Sequence, residues 1–412
     1  MKAFLFVVLI FSYACISHAR VIKADPTRSI QQAIQIANPF DTILVAKGVY
    51  KEGNLVVQKP VYFIGEDGAT LDGENKYEIF TIHAQGGTIQ NLIFRNTGIA
   101  SINDLAAIKV LQSSKWHIFK NTFENCFFGI YLANSSHCWI ENNKLTSDAE
   151  AEHQIGNGIH LWKCERITIQ NNWVKGHRDG IYFEFVTNSI ISGNHSEANL
   201  RYGLHFMFSH SNEYRNNEFV NNGAGVAVMY TQKVKMIGNR FIHNWGSSAY
   251  GLLLKDIRDS EISGNVFKEN SVGIFMEGSS RNQLSDNQFE ANGYAVRLQA
   301  SCDENNFERN NFKRNTFDMV TNGSLVLNKI KSNYWDRYDG YDLNHDAVGD
   351  VPYRPVSLYG TIVERMPAAV MLWHSFLVFL LDRAERAMPA ITPENLKDDF
   401  PSMKPYAVAQ SR

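Results

Sequence analysis

Gly129-Ile130-Tyr131-Leu132 begins a phrase that recurs throughout the middle of the chain. Each copy is a glycine with apolar residues at the first and third positions after it, and the copies start at Gly129, Gly158, Gly180, Gly203, Gly225, Gly251 and Gly273. These glycines lie 29, 22, 23, 22, 26 and 22 residues apart. A period of this size indicates a solenoid, because one repeat cannot bury its apolar face and stacked neighbours can.

A second phrase places a phenylalanine two residues after an asparagine. It recurs at Asn121/Phe123, Asn217/Phe219, Asn239/Phe241, Asn265/Phe267, Asn287/Phe289 and Asn310/Phe312. Both phrases alternate apolar with variable residues over a few positions, which is the periodicity of a strand. Short strands with glycine and asparagine corners predict an all-β fold, a right-handed parallel β-helix of the pectin-lyase-like kind.

The repeat also predicts where scaffold and function lie. Equivalent residues of successive coils form ladders about 4.8 Å apart, the spacing of parallel strands. The first and third residues after each glycine point inward, and the second and fourth point outward. Corner asparagines tolerate left-handed backbone conformations and hydrogen-bond locally, so we interpret their ladders as scaffold.

The ends of the chain predict an exported protein. Lys2, the apolar run 3–16 and Ser17-His18-Ala19 have the order of a secretory signal peptide. We expect a signal peptide at 1–19, the β-helix at 20–330, a capping loop at 331–365, and an apolar helix and tail at 366–412. The 40 basic and 42 acidic side chains form no basic stripe, which argues against a nucleic-acid partner.

Residues 30–37 predict a helical cap on the first coil. Ile30, Ala33, Ile34 and Ala37 fall on one helix face. The first coil would otherwise expose an open strand edge. Two insertions, at 147–157 and 243–250, interrupt the period, and insertions in solenoids usually cluster on one face, often the binding face.

Four cysteines follow the signal segment: Cys126, Cys138, Cys164 and Cys302. An even number in an exported protein permits disulfides. Buried thiols that fill gaps in the solenoid are the alternative, which we favour because the chain has no Cys-x-x-Cys pair.

An acidic loop follows the repeats. Asp342, Asn344, Asp346 and Asp350 place oxygen ligands at positions 1, 3, 5 and 9, the beginning of a calcium-loop pattern. Ala347 replaces the turn glycine and Tyr353 stands where an acidic ligand is required. A structural calcium site and a capping loop whose carboxylates bond backbone amides are therefore both open.

The run 368–381 is apolar nearly all round. Fourteen residues of helix are too short for a bilayer core of about 30 Å at 1.5 Å per residue. Such a helix must be covered. It either caps the last coil or docks on a membrane partner, in which case Trp373 and Phe376 are the expected contacts.

The outward ladders suggest a soft-metal or partner contact. The second-position ladder carries His160 and His205, and the fourth-position ladder carries Glu184, Met207 and Met229. Imidazole and thioether groups are the ligands that Cu(I) prefers. Single residues of this kind are often simply covered by a neighbouring loop, so only their clustering supports a copper or chaperone contact.

An enzyme is the alternative. A carbohydrate-active β-helix (a polysaccharide hydrolase, lyase or epimerase) needs carboxylates that converge on one groove about 5–9.5 Å apart. Glu184 and Glu277 are instead four coils apart on the outward ladder, so we assign no catalytic residue. A polysaccharide-binding protein remains possible on fold alone, which is a weak warrant.

Three segments carry a more specific resemblance: Arg201–Ser209, Gly225–Tyr230 and Asn333–Tyr359. With them, essentially the whole chain resembles the NosD family of periplasmic β-helix proteins, which take part in nitrous oxide reductase maturation.

That resemblance implies a non-enzymatic accessory role. Proteins of this kind sit on an ABC transporter made of a permease and an ATPase. With a copper chaperone lipoprotein, they help to load copper into the apo nitrous oxide reductase. The resemblance leaves open whether the chain itself holds copper transiently.

Overall fold

The structure, a computed structural model, describes residues 19–25, 27–100, 103–323, 327–387 and 396–407. Successive coils each add one strand to three parallel sheets, which stack into a β-helix of about 13 turns. This confirms the predicted fold class. The predicted signal peptide, apart from Ala19, lies outside the described residues.

Three parallel sheets run the length of the solenoid. The 14-stranded sheet contains Val21–Ala24, Thr42–Val45, Tyr62–Gly65, Gly87–Gln90, Trp116–Phe119, Trp139–Glu141, Thr168–Gln170, Ile190–Ser192, Glu213–Arg215, Lys235–Ile237, Glu261–Ser263, Gln283–Ser285, Asn306–Glu308 and Lys329–Lys331. The 13-stranded sheet contains Gly48–Tyr50, Ala69–Asp72, Ile93–Arg95, Thr122–Glu124, Lys144–Thr146, Trp173–Lys175, His195–Glu197, Glu218–Val220, Arg240–Ile242, Val266–Lys268, Gln288–Glu290, Asn311–Lys313 and Tyr334–Trp335.

The 12-stranded sheet is built from the glycine phrases and their counterparts. Its strands are Leu55–Val57, Phe80–Ile82, Ala106–Leu111, Phe128–Ala133, Ile159–Trp162, Asp179–Glu184, Tyr202–Met207, Ala224–Met229, Leu252–Lys255, Val272–Glu277, Tyr294–Leu298 and Phe317–Thr321. Both predicted insertions connect a strand of the 13-stranded sheet to one of this sheet, so both lie along one edge of it.

A buried asparagine ladder connects the coils. Each member receives the backbone N–H of the preceding ladder residue on its side-chain oxygen, as Asn239 does from Asn217 at 3.0 Å. Asn217 Nδ2 also donates to Asn239 Oδ1 at 3.0 Å and to Ile191 O at 2.9 Å. Because buried amides are costly when unpaired, this ladder stabilises every corner that it crosses.

The corner asparagines fall into two groups. The residue before a ladder position adopts the left-handed conformation and is often an asparagine, such as Asn142 with φ 53° or Asn216 with φ 54°, as the sequence interpretation allowed. The ladder asparagines bond between coils. Some of them also bond locally, as Asn194 Nδ2 does to Ser192 O at 3.1 Å.

The repeating glycine is required by the closeness of adjacent coils. A Cβ atom on Gly203 would lie 2.7 Å from the carbonyl oxygen of Gly225 and 2.9 Å from Asn222 Nδ2. Asn222 belongs to a second buried ladder of asparagines that runs beside the 12-stranded sheet, consisting of Asn199, Asn222, Asn244, Asn270, Asn292 and Asn315. The repeated glycine therefore lies where the backbone of the next coil and the second asparagine ladder leave no room for a side chain.

The core is a column of stacked rings and branched aliphatic chains. Phe241, Phe267, Phe289 and Phe312 are buried and stack ring on ring with centroids 4.7–4.9 Å apart, and Trp335 completes the column 4.1 Å beyond Phe312. The predicted asparagine–aromatic phrase thus supplies one amide rung and one aromatic rung per coil.

Helix α1, Ile30–Ile36, covers the first coil as predicted. Ile30, Ala33, Ile34 and Ala37 are all buried, and Ser29 accepts a hydrogen bond from Gln32 N as the N-cap. The four cysteines of the described chain are buried and free. Burial raises their pKa, to about 12 for Cys126 and Cys164, which is the behaviour of packing thiols.

The other end of the solenoid is closed by α2 (Leu358–Arg365), a 3₁₀ helix (Pro367–Leu372) and α3 (Phe376–Ala387). Tyr359 and Val363 of α2 bury against Phe317 and Val320 of the last long strand. The side chain of Asp398 ends the asparagine ladder by accepting hydrogen bonds from Asn333 N at 2.8 Å and from Trp335 Nε1 at 3.1 Å.

Candidate functional site

The outward ladders of the 12-stranded sheet have the predicted register. Tyr131, His160, Tyr182 and His205 are Cα partners in successive strands, and so are Trp162, Glu184, Met207 and Met229. We call this surface, from His160 to Met229, the central face. Four neighbouring coils thus place one imidazole column beside one thioether and carboxylate column.

The second-position column is less exposed than the alternation predicts. Ala227 is fully buried, and His205 is only 5% exposed. The rings of Tyr182 and Tyr202 lie against His205 with centroids 5.0 Å and 4.7 Å away. His205 is therefore a buried residue although its place in the phrase directs it outward. A change at this histidine affects packing as well as chemistry.

His160 lies between two tyrosine rings. Its ring stacks on Tyr131 at 4.7 Å and tilts over Tyr182 at 4.7 Å. Burial lowers the pKa of His160 to about 3, and the nearby positive charge of Arg178 contributes a smaller part of this shift. The imidazole is therefore neutral at any ordinary pH, and its Nδ1 lies 3.0 Å from Asn157 Nδ2.

His205 is paired with a buried carboxylate that the sequence reasoning did not single out. Its Nδ1 lies 3.4 Å from Asp179 Oδ2, and Asp179 is 1% exposed. Arg201 Nε forms an ion pair with the other carboxylate oxygen at 3.6 Å. His205 Nε2 is buried and has no hydrogen-bond partner in the described chain.

The fourth-position column, which carries the two thioethers, is more exposed to solvent than the second-position column. Met207 is partly exposed and lies in direct register with Met229, so the two side chains leave neighbouring strands about 4.8 Å apart. Tyr182 Oη lies 3.8 Å from Met207 Sδ and donates to Glu184 Oε2 at 3.3 Å. Burial raises the pKa of Tyr182 to about 12, so its hydroxyl remains a donor.

Three aromatic residues border this column: Phe185, Phe208 and Tyr230, which we call the aromatic wall. Their rings stack in parallel at 5.3 Å and 5.1 Å, and each has φ between 50° and 55°. Bulky side chains rarely adopt this left-handed conformation. The equivalent residues of neighbouring coils are Asn134, Lys163 and Asp256.

The carboxylates of the acidic loop accept hydrogen bonds from backbone amides of the same loop. Asp342 accepts from Ala347 N at 2.9 Å, Asp346 from Val348 N at 2.8 Å, and Asp350 from Leu343 N at 2.7 Å. Asn344 accepts from Asp346 N at 3.1 Å. This is the arrangement of the capping-loop alternative. Within the described ranges, no group of three or more His, Cys, Asp or Glu side chains is placed to hold a metal ion.

The two predicted contact residues of the apolar tail lie in different environments. Trp373 packs inward, with its ring 5.2 Å from Phe317 and 5.7 Å from Tyr359. Phe376 is 74% exposed, and Leu377, Phe379 and Leu380 of α3 are also exposed. None of the described helices is long and apolar enough to cross a membrane.

A family model described as "Periplasmic copper-binding protein (NosD)" matches residues 142–340, which include the whole central face. Relatives extend the likeness along the chain. The "Probable ABC transporter binding protein NosD" of Pseudomonas aeruginosa is 28% identical over 380 residues, covering 87% of both chains. The protein of the same name from Stutzerimonas stutzeri is 26% identical over 373 residues, covering 86% of this chain and 85% of that one.

The chain is thus similar to NosD proteins along most of its length. Among solved structures, a GH87 α-1,3-glucanase catalytic unit from Streptomyces thermodiastaticus aligns with a TM-score of 0.60, 12% identity, and coverage of 74% of this chain and 65% of that one. A second GH87 α-1,3-glucanase domain has a TM-score of 0.56 at 12% identity, over 77% of this chain and 69% of that one. At such identities the likeness concerns the fold alone.

Two parts of this candidate site were missed by reasoning from the sequence. The Asp179–Arg201 pair joins neighbouring coils, and the periodicity does not predict that Asp179 is 1% exposed. The aromatic wall did leave a signal: each of its residues directly follows a fourth-position residue. The ladder interpretation ended one position too early to include it.

Proposed function

We propose that this protein belongs to the NosD family, that it is a periplasmic, non-catalytic accessory protein of an ABC transporter complex, and that it supports copper delivery to nitrous oxide reductase. The observation that carries the proposal is the Met207–Met229 pair beside His205. The description of the family as periplasmic and copper-binding supports it, as do the names of both relatives.

Three residues of the central face fit copper(I) as a cargo: His205, Met207 and Met229. Soft thioethers and a neutral imidazole are the ligand types that Cu(I) prefers over carboxylates. His205 supplies a buried ring nitrogen without a hydrogen-bond partner in the described chain, a group that costs free energy until it is satisfied. A transient donor set of this kind suits an ion that must leave again.

The aromatic wall gives this surface a second use, as a contact for the copper chaperone lipoprotein or the apo reductase. Exposed aromatic side chains are frequent energetic anchors of protein interfaces. The wall lies next to Met207 and Met229, so a partner seated there would be beside the proposed copper ligands. Phe185 and Tyr230 are 42% and 40% exposed and available for such a contact.

Deleting the gene tests the pathway. We expect the strain to export nitrous oxide reductase whose copper content is strongly reduced, because the chain would act in loading rather than synthesis. Metal analysis of the purified reductase measures this, with complementation by the intact gene as control. A fully copper-loaded reductase from the deletion strain would contradict the proposal. Cleavage or epimerisation of a polysaccharide by the purified protein would favour the carbohydrate-active alternative.

The exposed face of α3 is proposed to dock on the permease, which would hold the protein at the inner membrane. We expect Phe376→Ser/Phe379→Ser to leave the solenoid folded, because both side chains are more than half exposed, and to abolish co-purification with the permease and its ATPase. Phe40→Ser, at the opposite end and 54% exposed, is the matched control. Undiminished co-purification of the double variant would place the docking surface elsewhere.

A further inference from the structure

The two histidines of the central face are held by opposite kinds of partner. His205 Nδ1 faces a carboxylate oxygen of Asp179, which as a carboxylate can only accept a hydrogen bond. His160 Nδ1 faces the amide nitrogen of Asn157, which can only donate. In the neutral ring, the proton therefore lies on Nδ1 of His205 and on Nε2 of His160.

This difference decides which ring nitrogen is available. A metal binds the ring nitrogen that carries the lone pair, and the hydrogen bond at the other nitrogen fixes which one that is. In His205 the free lone pair lies on Nε2, the buried atom without a partner in the described chain. In His160 the lone pair is already used by Asn157.

We infer that Asp179 is a positioning residue for this site: held by Arg201, it fixes the tautomer and direction of His205 so that Nε2 is the nitrogen ligand for copper(I). The inference rests on the proposed function for the metal, while the tautomer stands on the geometry alone. It also assigns His160 to packing between Tyr131 and Tyr182 rather than to metal binding.

Arg201 gives Asp179 its orientation. The Arg201 side chain lies 3.6 Å from Asp179 Oδ1 and over the ring of Tyr202 at 5.2 Å, so the guanidinium occupies one side of the carboxylate. The remaining oxygen, Oδ2, is left for His205. Arg201 on one side and the His205 ring on the other keep a carboxylate that is 1% exposed in one orientation.

Asp179→Asn is the most direct test, because it keeps the shape of the side chain and replaces one hydrogen-bond acceptor by a donor. Arg201 has donors only, so it holds the new amide oxygen and turns the amide NH₂ toward His205 Nδ1. That contact requires a lone pair on Nδ1 and moves the proton to Nε2. We expect long-range ¹H–¹⁵N spectra of ¹⁵N-histidine-labelled protein to show His205, assigned with a His205→Gln variant, change tautomer.

Copper binding provides the second readout. In competition with a chromophoric Cu(I) chelator, Asp179→Asn should weaken Cu(I) binding by about 10–100-fold, the usual effect of removing the hydrogen-bond partner of a ligand histidine. Asp256→Asn removes a partly buried carboxylate three coils further along the solenoid, beyond the central face, and should change neither readout. His160→Gln should leave Cu(I) affinity within about twofold, because its nitrogens are not ligands.

The outcomes separate this inference from the proposed function. A parent protein in which His205 carries its proton on Nε2 would overturn the inference without any variant. Unchanged Cu(I) affinity of Asp179→Asn would overturn it as well. If the tautomer changes as expected but the parent does not bind Cu(I), the positioning by Asp179 stands and the copper-holding role is wrong.

Discussion

Asp398→Ala is expected to cause a large loss of stability, because this buried side chain closes the end of the asparagine ladder. The side chain ends the asparagine ladder: its two oxygens accept from Ser332 N, Asn333 N, Asn333 Nδ2 and Trp335 Nε1 at 2.8–3.2 Å. Asp398 and Trp335 are both buried. Removing a buried charged acceptor leaves these donors unpaired and should cost about 3–5 kcal/mol.

Thermal or urea unfolding measures the loss, and hydrogen exchange locates it. We expect strand Lys329–Lys331 and residues Tyr334–Trp335 to exchange first, because they form the last coil beneath Asp398. Asp399→Ala is the matched control, since that neighbour is exposed and pairs only with Lys397 at 2.9 Å within the described chain. Equal stabilities of the two variants would show that the ladder needs no acceptor at its end.

Met207→Leu/Met229→Leu is expected to have the largest effect on function. Leucine keeps the side-chain volume and removes the thioether. The free energy of unfolding should therefore change by less than about 1.5 kcal/mol. Copper transfer to the reductase should fall to the level of the deletion strain if both sulfurs are ligands. This design avoids His205, whose replacement would leave Asp179 buried without its imidazole partner.

The measurement is reductase copper content after complementation with the double variant. Met371→Leu serves as control because Met371 is 86% exposed in the 3₁₀ helix, far from the central face in sequence. Normal copper content with the double variant would exclude the methionines as ligands. A loss that also appears with Met371→Leu would point to the tail instead.

Much of the fold follows from the sequence because the solenoid makes it nearly one-dimensional. The spacing of Gly129 to Gly273 fixes which residues become Cα partners, and the register of His160 with Tyr182 and His205 follows from that spacing. The alternation of apolar residues likewise predicts burial of the inward positions, as at Ile181 and Phe183.

What the sequence did not reveal depends on contacts that the period does not encode. Asp398 reaches Asn333 across 65 residues, outside any repeat. The rings of Tyr182 and Tyr202 lie against His205, and alternation predicts only the direction of a side chain, not what covers it. The inward packing of Trp373 likewise depends on Tyr359 and Phe317.

The central face lies on the fifth to eighth strands of the 12-stranded sheet, with four strands of that sheet before it and four after it. A stacked chain with nearest-neighbour coupling frays from its ends, and each further coil must open after the one outside it. Spontaneous opening at Met207 is therefore far rarer than at either terminus. If the proposed copper ligands lie in the middle of the stack, their geometry would persist while the end coils open, and release of the ion would require a partner rather than thermal opening of the coils.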